Sequence, residues 1–258
     1  MTSQDEYPTE GSVAASVANG VGVVAFGHPK GNSLPGALLR KLAAAITEVG
    51  ARTDVKVVSL RSGRDGPFCA GASFDELAAI RNEAEGKEFF LGFARVTLAM
   101  IRCPKPIVTR VQGKVVGGGV GLVAASDYVL ATEHSQLRLS ELAVGIGPFV
   151  VGPAIERKIG PGAFGAMALD ADWRSPQWAL DMGLYAQVHD SLAGLDSAYE
   201  GFVAHLAKGN AEAAARIKQI LWEGTEHWDR LLDERAAMSG RLVLSEHTRR
   251  AIEAFKGR

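Results

Sequence analysis

Short runs of β-branched residues alternate with amphipathic stretches through the first half of the chain, and this alternation restricts the possible folds most. The runs that predict strands are Val55–Leu60, Ile107–Val111 and Tyr128–Ala131. Apolar residues at helical spacing predict helices over 34–49 and 74–101. A glycine loop at 117–121 leads into a further predicted helix that ends near Ala125. Strands that alternate with helices in this way predict the α/β fold class.

The N-terminal segment predicts a β-hairpin. Residues 12–27 alternate small and β-branched side chains around Asn19-Gly20, a pair that favours a tight turn because both residues accept positive φ. The stretch Gly20–Ala25 also fits the G-x-G-x-x-A pattern of dinucleotide sites, but His28-Pro29 breaks the chain where that pattern needs a helix. Asn32-Ser33 is the candidate cap of the first helix.

The strand pattern disappears after about residue 195. Alanine-rich, leucine-rich and charged segments there predict two or three amphipathic helices that end at Arg258. We therefore expect a core over residues 1–195 and a C-terminal helical region over 196–258.

Composition excludes several classes of function. The 28 basic and 29 acidic residues give a formal charge of -1, so no broad positive surface for nucleic acid or anionic membrane is expected. The only cysteines, Cys69 and Cys103, form no C-x-x-C pair, and the six histidines have no metal-ligand spacing. The N-terminus has no leader-like apolar segment. These features predict a soluble, cytoplasmic protein without a metal.

Three segments together are specific for one family. They are Phe68–Leu77 (FCAGASFDEL), Gly113–Leu122 (GKVVGGGVGL) and Leu139–Gly145 (LSELAVG). Two weaker segments, His28–Leu34 and Ala179–Val188, occur in the expected order around them. The chain resembles the crotonase, or enoyl-CoA hydratase/isomerase, superfamily along almost its whole length.

The resemblance implies a crotonase-type spiral of β-β-α units, with two roughly perpendicular sheets and a C-terminal helical region. It also implies an acyl-CoA thioester as the partner and substrate, and no separate cofactor, because coenzyme A is part of that substrate. Family members are commonly trimers or dimers of trimers, so a homotrimer or homohexamer is expected. The resemblance further implies that residues 1–195 are the acyl-CoA-binding core and that the C-terminal helical region over 196–258 serves oligomerisation.

By their positions in the motifs, Ala72 and Gly118 are the residues whose N–H groups would form an oxyanion hole. Negative charge develops on the thioester oxygen when an enolate forms, and fixed donors aimed at that oxygen stabilise it. Gly118 also falls at a predicted helix N-terminus, which favours an anion. A plain flexible turn at 117–119 is the alternative, and the segment 68–77 argues against it.

The resemblance also implies residues that line the path of the coenzyme and the acyl group. These substrate-binding candidates are Lys30, Ala70, Ser73, Phe74, Asp75, Gly117, Pro148 and Phe149. Lys30 is either a phosphate contact or a solvated surface lysine, and Asp75 is either a second acid or a helix-capping residue. Arg258 falls roughly where relatives place a basic residue that reaches a neighbour's coenzyme.

Glu141 matches the family's acid/base glutamate, which must lie beside the substrate α-carbon to move a proton there. Typical hydratases carry a second glutamate where this chain has Gly121. One carboxylate suffices for a double-bond shift, and Gly147–Phe149 resembles the Pro-Phe form of Δ3,Δ2-enoyl-CoA isomerases. Double-bond isomerisation is therefore slightly favoured. The alternatives are an enoyl-CoA hydratase, including one for branched chains, and a non-catalytic acyl-CoA-binding homologue.

Overall fold

The computed structural model describes residues 9–63 and 66–256. Its strands are β1 (Ser12–Ala18), β2 (Val21–Gly27), β3 (Val57–Ser62), β4 (Ile107–Val111), β5 (Val115–Val116), β6 (Tyr128–Thr132), β7 (Leu137–Arg138) and β8 (Gln187–His189). Its helices are α1 (Gly36–Ala51), α2 (Phe74–Ala79), α3 (Glu83–Arg102), α4 (Gly118–Ala125), α5 (Gly152–Asp170), α6 (Pro176–Asp181), α7 (Leu192–Lys208), α8 (Ala211–Leu221), α9 (Trp228–Leu242) and α10 (Glu246–Lys256), with a 3-10 turn at Leu142–Val144.

The predicted α/β class is confirmed by a sheet of six strands in the order β1-β2-β3-β4-β6-β8. The predicted hairpin is present, since β1 and β2 are antiparallel around Asn19 and Gly20, whose φ values are 51° and 82°. All later neighbours in this sheet are parallel. A second, two-stranded sheet pairs β5 with β7 in parallel. Its strands lead directly into Gly117–Gly118 and toward Glu141, which are candidate site residues.

Two helix predictions need correction. The first helix begins after Pro35 and has no side-chain cap, because the Asn32 side chain instead accepts a hydrogen bond from His28 N at 3.0 Å. The single helix expected over 74–101 is two helices, because Asn82 has extended backbone and its side chain caps the N-terminus of α3. The break separates α2, which carries motif residues, from the long core helix α3.

The C-terminal region contains four helices in the described residues, not the expected two or three. The first of them, α7, begins at Leu192, ahead of the expected boundary, and packs on the six-stranded sheet through Leu195, Tyr199 and Val203. Helix α9 packs along α3, where Gly86 and Gly240 are in contact without side chains between them. The assignment of residues 196–258 to oligomerisation stays a prediction. Among the described residues, no helix combines the length and apolar character needed to cross a bilayer.

A buried ion pair ties α8 to the core. Lys218 Nζ donates to Asp127 Oδ2 at 2.7 Å and to the carbonyl of Met100 at 2.8 Å, and both charged side chains are more than nine-tenths buried. Asp127 also accepts hydrogen bonds from Ile107 N and from Trp222 Nε1, at 2.7 and 3.0 Å. The ion pair and its partners therefore join α3 and the start of β4 to α8 and its C-terminal end.

Replacing Lys218 with methionine should destabilise the protein by about 3 kcal/mol, because it leaves the Asp127 carboxylate buried without its counter-charge. The measurement is urea unfolding followed by circular dichroism. Lys208→Met, which changes an exposed lysine in the neighbouring helix α7, is the control and should change the free energy of unfolding by less than about 0.5 kcal/mol. Equal effects of the two variants would contradict a stabilising role for the buried pair.

Candidate active site

The segment that contains Ala72 is held by main-chain hydrogen bonds on both of its flanks. Leu34 N donates to Gly71 O at 2.8 Å and Ser73 N donates to Leu34 O at 3.3 Å, so the Ala72 N–H faces away from this pairing. On the other flank, Val116 N donates to Cys69 O at 2.9 Å, which brings β5 alongside the segment. Ala72 is therefore placed by its neighbours' hydrogen bonds while its own N–H is left over.

Gly118 begins α4 next to this segment. Gly117 N donates to Arg138 O at 2.8 Å, and the φ of 54° at Gly117 turns the chain from β5 into the helix. A methyl group added to Gly71 would lie 3.8 Å from Gly118 N, so the two segments are in close contact. Among the described residues, neither Ala72 N–H nor Gly118 N–H has a hydrogen-bond acceptor. Two unpaired donors therefore lie close together.

Phe93 of α3 closes the space over Gly118. A methyl group on Gly118 would lie 2.3 Å from Phe93 Cζ, so no side chain fits at that position. The aromatic ring also covers the first turn of α4 with apolar surface. Low polarity around unpaired N–H groups strengthens their attraction for a negative charge.

Glu141 lies on the other side of Gly117. A methyl group on Gly117 would lie 3.1 Å from Glu141 Oε1, so the glycine leaves room for the carboxyl group. Glu141 Oε2 is buried and has no hydrogen-bond partner among the described residues. Burial raises the pKa of Glu141 to about 7, against a smaller lowering effect of the main chain at Glu141 and Ser140. A carboxyl group with this pKa can both accept and donate protons near neutral pH.

One cavity of about 730 Å³ contains all of the residues predicted from the sequence. The catalytic candidates Ala72, Gly118 and Glu141 line it. The substrate-binding candidates line it as well, namely Lys30, Ala70, Ser73, Phe74, Asp75, Gly117, Pro148 and Phe149. The fold thus brings together groups from five separate parts of the sequence, although their roles toward a ligand stay predictions.

The two charged candidates at the rim contact each other. Lys30 Nζ donates to Asp75 Oδ2, and both side chains are exposed. Asp75 is in the first turn of α2, where the side chain of Ser73 accepts a hydrogen bond from Glu76 N. Asp75 thus complements the helix dipole, as the capping interpretation expects. Arg258 lies outside the described residues.

Several cavity residues were not predicted from the sequence. Phe89, Phe90 and Phe93 of α3 line one wall, and their helical spacing is indistinguishable from that of ordinary core residues. Ser239 of α9 and two alanines of α10, Ala251 and Ala254, also line the cavity. Helix α10 reaches it because Thr248 Oγ1 donates to the carbonyl of Gly145 at 3.2 Å, next to the Glu141 turn. No motif marks contacts at such long sequence separation.

The position of the missing second glutamate is filled by a neighbour. Gly121 lies inside α4, and a methyl group there would lie 2.5 Å from Val151 Cγ1 and 2.7 Å from Val151 Cβ. A glutamate at Gly121 would therefore need a smaller residue in place of Val151. The described residues also contain no group of three or more His, Cys, Asp or Glu side chains that could hold a metal ion.

The model of the enoyl-CoA hydratase/isomerase family matches residues 16–258, and the chain belongs to this family. A protein of Rhodobacter capsulatus named "probable enoyl-CoA hydratase" is 26% identical, over 95% of this chain and 94% of that protein. The ethylmalonyl-CoA decarboxylase of Gallus gallus is 25% identical, over 81% of this chain and 71% of that protein.

Solved structures support the fold. The crystal structure of enoyl-CoA hydratase from Bacillus halodurans superposes with a TM-score of 0.86 at 20% identity, covering 94% of this chain and 99% of that one. The crotonase fold expected from the sequence is thereby confirmed.

The Glu141 carboxyl should lose its proton near pH 7 in the ligand-free protein, because burial disfavours the charged form. It should be neutral at pH 5.5 and ionised at pH 8.5. Infrared difference spectra of the wild type against Glu141→Gln, recorded across this range, should show a protonated-carboxyl band that disappears as pH rises through about 7. Disappearance near the ordinary glutamate value of about 4.3 would contradict the buried environment.

Proposed function

We propose that this chain is an acyl-CoA enzyme that forms a thioester enolate, with the N–H groups of Ala72 and Gly118 as the oxyanion hole and Glu141 as the proton shuttle. The observation that carries the proposal is a carboxyl group beside Gly117 that has one buried oxygen without a hydrogen-bond partner, and that lies next to the unpaired N–H of Gly118 in the same cavity. The Glu141 carboxyl, which can accept or donate a proton, is then adjacent to N–H groups that can bind an anion. Formation of an enolate needs both functions.

Double-bond isomerisation remains the slightly favoured reaction. The ionised carboxylate of Glu141 takes a proton from the substrate α-carbon, and the electron pair moves into the thioester carbonyl to give a dienolate. The protonated carboxyl then returns the proton at the γ-carbon, and the carbonyl re-forms. One carboxyl group with a pKa near 7 serves both steps, because neither protonation state is far in free energy from the other.

Hydration is the second candidate, supported by the relative named as a probable enoyl-CoA hydratase. It needs a group to activate water as well as a proton source, and Val151 occupies the space of the usual second carboxylate.

Decarboxylation is the third candidate reaction, supported by relatives named ethylmalonyl-CoA decarboxylase. The electron pair of the broken bond to CO₂ stays on the α-carbon and is delocalised into the thioester carbonyl as an enolate, and protonated Glu141 would supply the proton to that carbon.

The test is a panel of 2-enoyl-, 3-enoyl-, 3-hydroxyacyl- and ethylmalonyl-CoA thioesters, with products identified by mass spectrometry. Isomerisation leaves the mass unchanged, hydration adds water and decarboxylation removes CO₂. Glu141→Gln should lower kcat on the substrate that reacts by about a hundredfold or more, because it removes a positioned proton-transfer group. Its affinity for coenzyme A should stay within about twofold.

Wild-type rates in Glu141→Gln would refute the role of that residue. Binding of acyl-CoA without turnover of any thioester by the wild type would instead support a non-catalytic homologue.

The Gly118 N–H donor needs a test that separates it from packing, because any side chain at 118 meets Phe93. The double variant Gly118→Pro/Phe93→Ala removes the N–H in a background with room for the ring. Gly118→Ala/Phe93→Ala is the matched control, since it keeps the N–H, and proline is accepted in the first position of a helix. The proline variant should show a kcat lower than the control by a hundredfold or more. Equal kcat values would contradict the oxyanion role.

We also propose that the protein assembles as a trimer or hexamer. Helices α5 and α8 support this, because they expose large apolar side chains such as Leu169, Ile217 and Ile220, more than 60% accessible in the single chain. The remaining binding candidates, Lys30 among them, are proposed to contact the coenzyme portion of the ligand.

A further inference from the structure

A cationic side chain lines the cavity that the proposed reaction does not use. Arg138 ends β7, and its carbonyl accepts the hydrogen bond from Gly117 N at 2.8 Å, so its backbone is adjacent to the proposed oxyanion hole. Arg138 is half-buried, and it lines the same cavity as Gly117, Gly118 and Glu141. A positive group in the cavity that holds the proposed oxyanion hole points to a negatively charged group on the ligand.

The guanidinium of Arg138 is fixed but not neutralised. Its Nε donates to the carbonyl of Ala171 at 2.6 Å, and its Cζ lies 5.9 Å from the centre of the Trp173 ring. These contacts orient the planar group along the cavity wall. Among residues 9–63 and 66–256, its two terminal nitrogens have no hydrogen-bond acceptor and no carboxylate partner. The two terminal nitrogens of an arginine match the geometry of a carboxylate, and they can bind it through two parallel hydrogen bonds.

The place of Arg138 indicates which part of a ligand it meets. Its side chain bonds to Ala171, and β7 pairs with the segment at Arg174 through mutual hydrogen bonds of Leu137, so the guanidinium stays beside its own strand. That strand adjoins Gly117 and Glu141, where the thioester is proposed to sit. The phosphates of coenzyme A are separated from the thioester by the whole pantetheine arm. An anionic group near Arg138 is then part of the acyl chain.

We propose that Arg138 is a specificity-determining residue that selects acyl groups carrying a carboxylate in addition to the thioester. The proposal rests on the proposed function, since it assumes that the thioester lies at Ala72 and Gly118. It narrows the substrate class to coenzyme A thioesters of dicarboxylic acids. The other cation that lines the cavity among the described residues is Lys30, which is exposed and paired with Asp75, so Arg138 is the cation that would distinguish such a chain from its uncharged counterpart.

The test measures binding by isothermal titration calorimetry, with two pairs of saturated thioesters of equal chain length. Butyryl-CoA is compared with succinyl-CoA, and pentanoyl-CoA with glutaryl-CoA. The proteins are the wild type, Arg138→Gln and the control Lys114→Gln, which changes a lysine that lies 5.0 Å from the same Trp173 ring but does not line the cavity. The assay uses no turnover, so it is independent of the reaction type.

The wild type should bind at least one carboxylate-bearing thioester about tenfold more tightly than its uncharged counterpart, because a hydrogen bond to a charged group contributes at least that factor. Arg138→Gln should abolish this preference and leave the affinity for the uncharged thioester within about twofold. Lys114→Gln should keep the preference.

A wild type without any preference would overturn the proposal, as would an Arg138→Gln variant that loses affinity for both members of a pair equally. In the latter case the arginine would bind the shared coenzyme portion. Failure of every thioester to bind the wild type would refute the proposed function itself, and that outcome is distinct from the other two.

Discussion

The candidate site depends on how main-chain hydrogen bonds are distributed between two adjoining segments. Leu34 pairs with both neighbours of Ala72, and Cys69 pairs with Val116 of β5. Buried N–H and C=O groups almost always have hydrogen-bond partners, and leaving one unpaired costs free energy. A fold that leaves two N–H groups unpaired in one cavity is therefore stable only if the neighbouring main-chain groups are hydrogen-bonded. The parallel pairing of β5 with β7 and the turn at Gly117 do this. The donors are rigid because their neighbours are bonded.

The same constraint explains the state of Glu141. Its carboxyl group is packed between Gly117 and the 3-10 turn that it starts, with Val144 N and Ile146 N donating to its main-chain carbonyl and not to its side chain. The side chain therefore loses more to desolvation than it gains from the nearby main chain of Glu141 and Ser140, and its pKa rises to about 7. Desolvation of this carboxyl destabilises the folded protein. The same desolvation produces a group that can exchange protons at neutral pH. A salt bridge at this position would remove that ability.

Patterns in the sequence predicted those elements whose structure depends on neighbouring residues alone. The hairpin at Asn19 and Gly20 and the strand Ile107–Val111 followed from turn preferences and periodicity. The choice of Ala72, Gly118 and Glu141 as site residues followed from the resemblance to the family. The break at Asn82 did not, because its side-chain cap interrupts an otherwise continuous helical pattern. The cavity walls from α3, α9 and α10 also did not. Residues such as Phe93 and Ser239 have the periodicity of core residues, and only tertiary packing decides that they face a cavity.

Gly121 illustrates why a motif position cannot be interpreted in isolation. From the sequence, glycine there is an absent carboxylate, and the natural inference is a vacant place in the site. In the structure, Val151 at the start of α5 fills that place so closely that even a methyl group would overlap it. The absence of a glutamate at position 121 and the close packing of Val151 against Gly121 therefore go together. Because an apolar side chain occupies the place of the second acid, this packing supports the proposed transfer of one proton along a stabilised enolate over the activation of water.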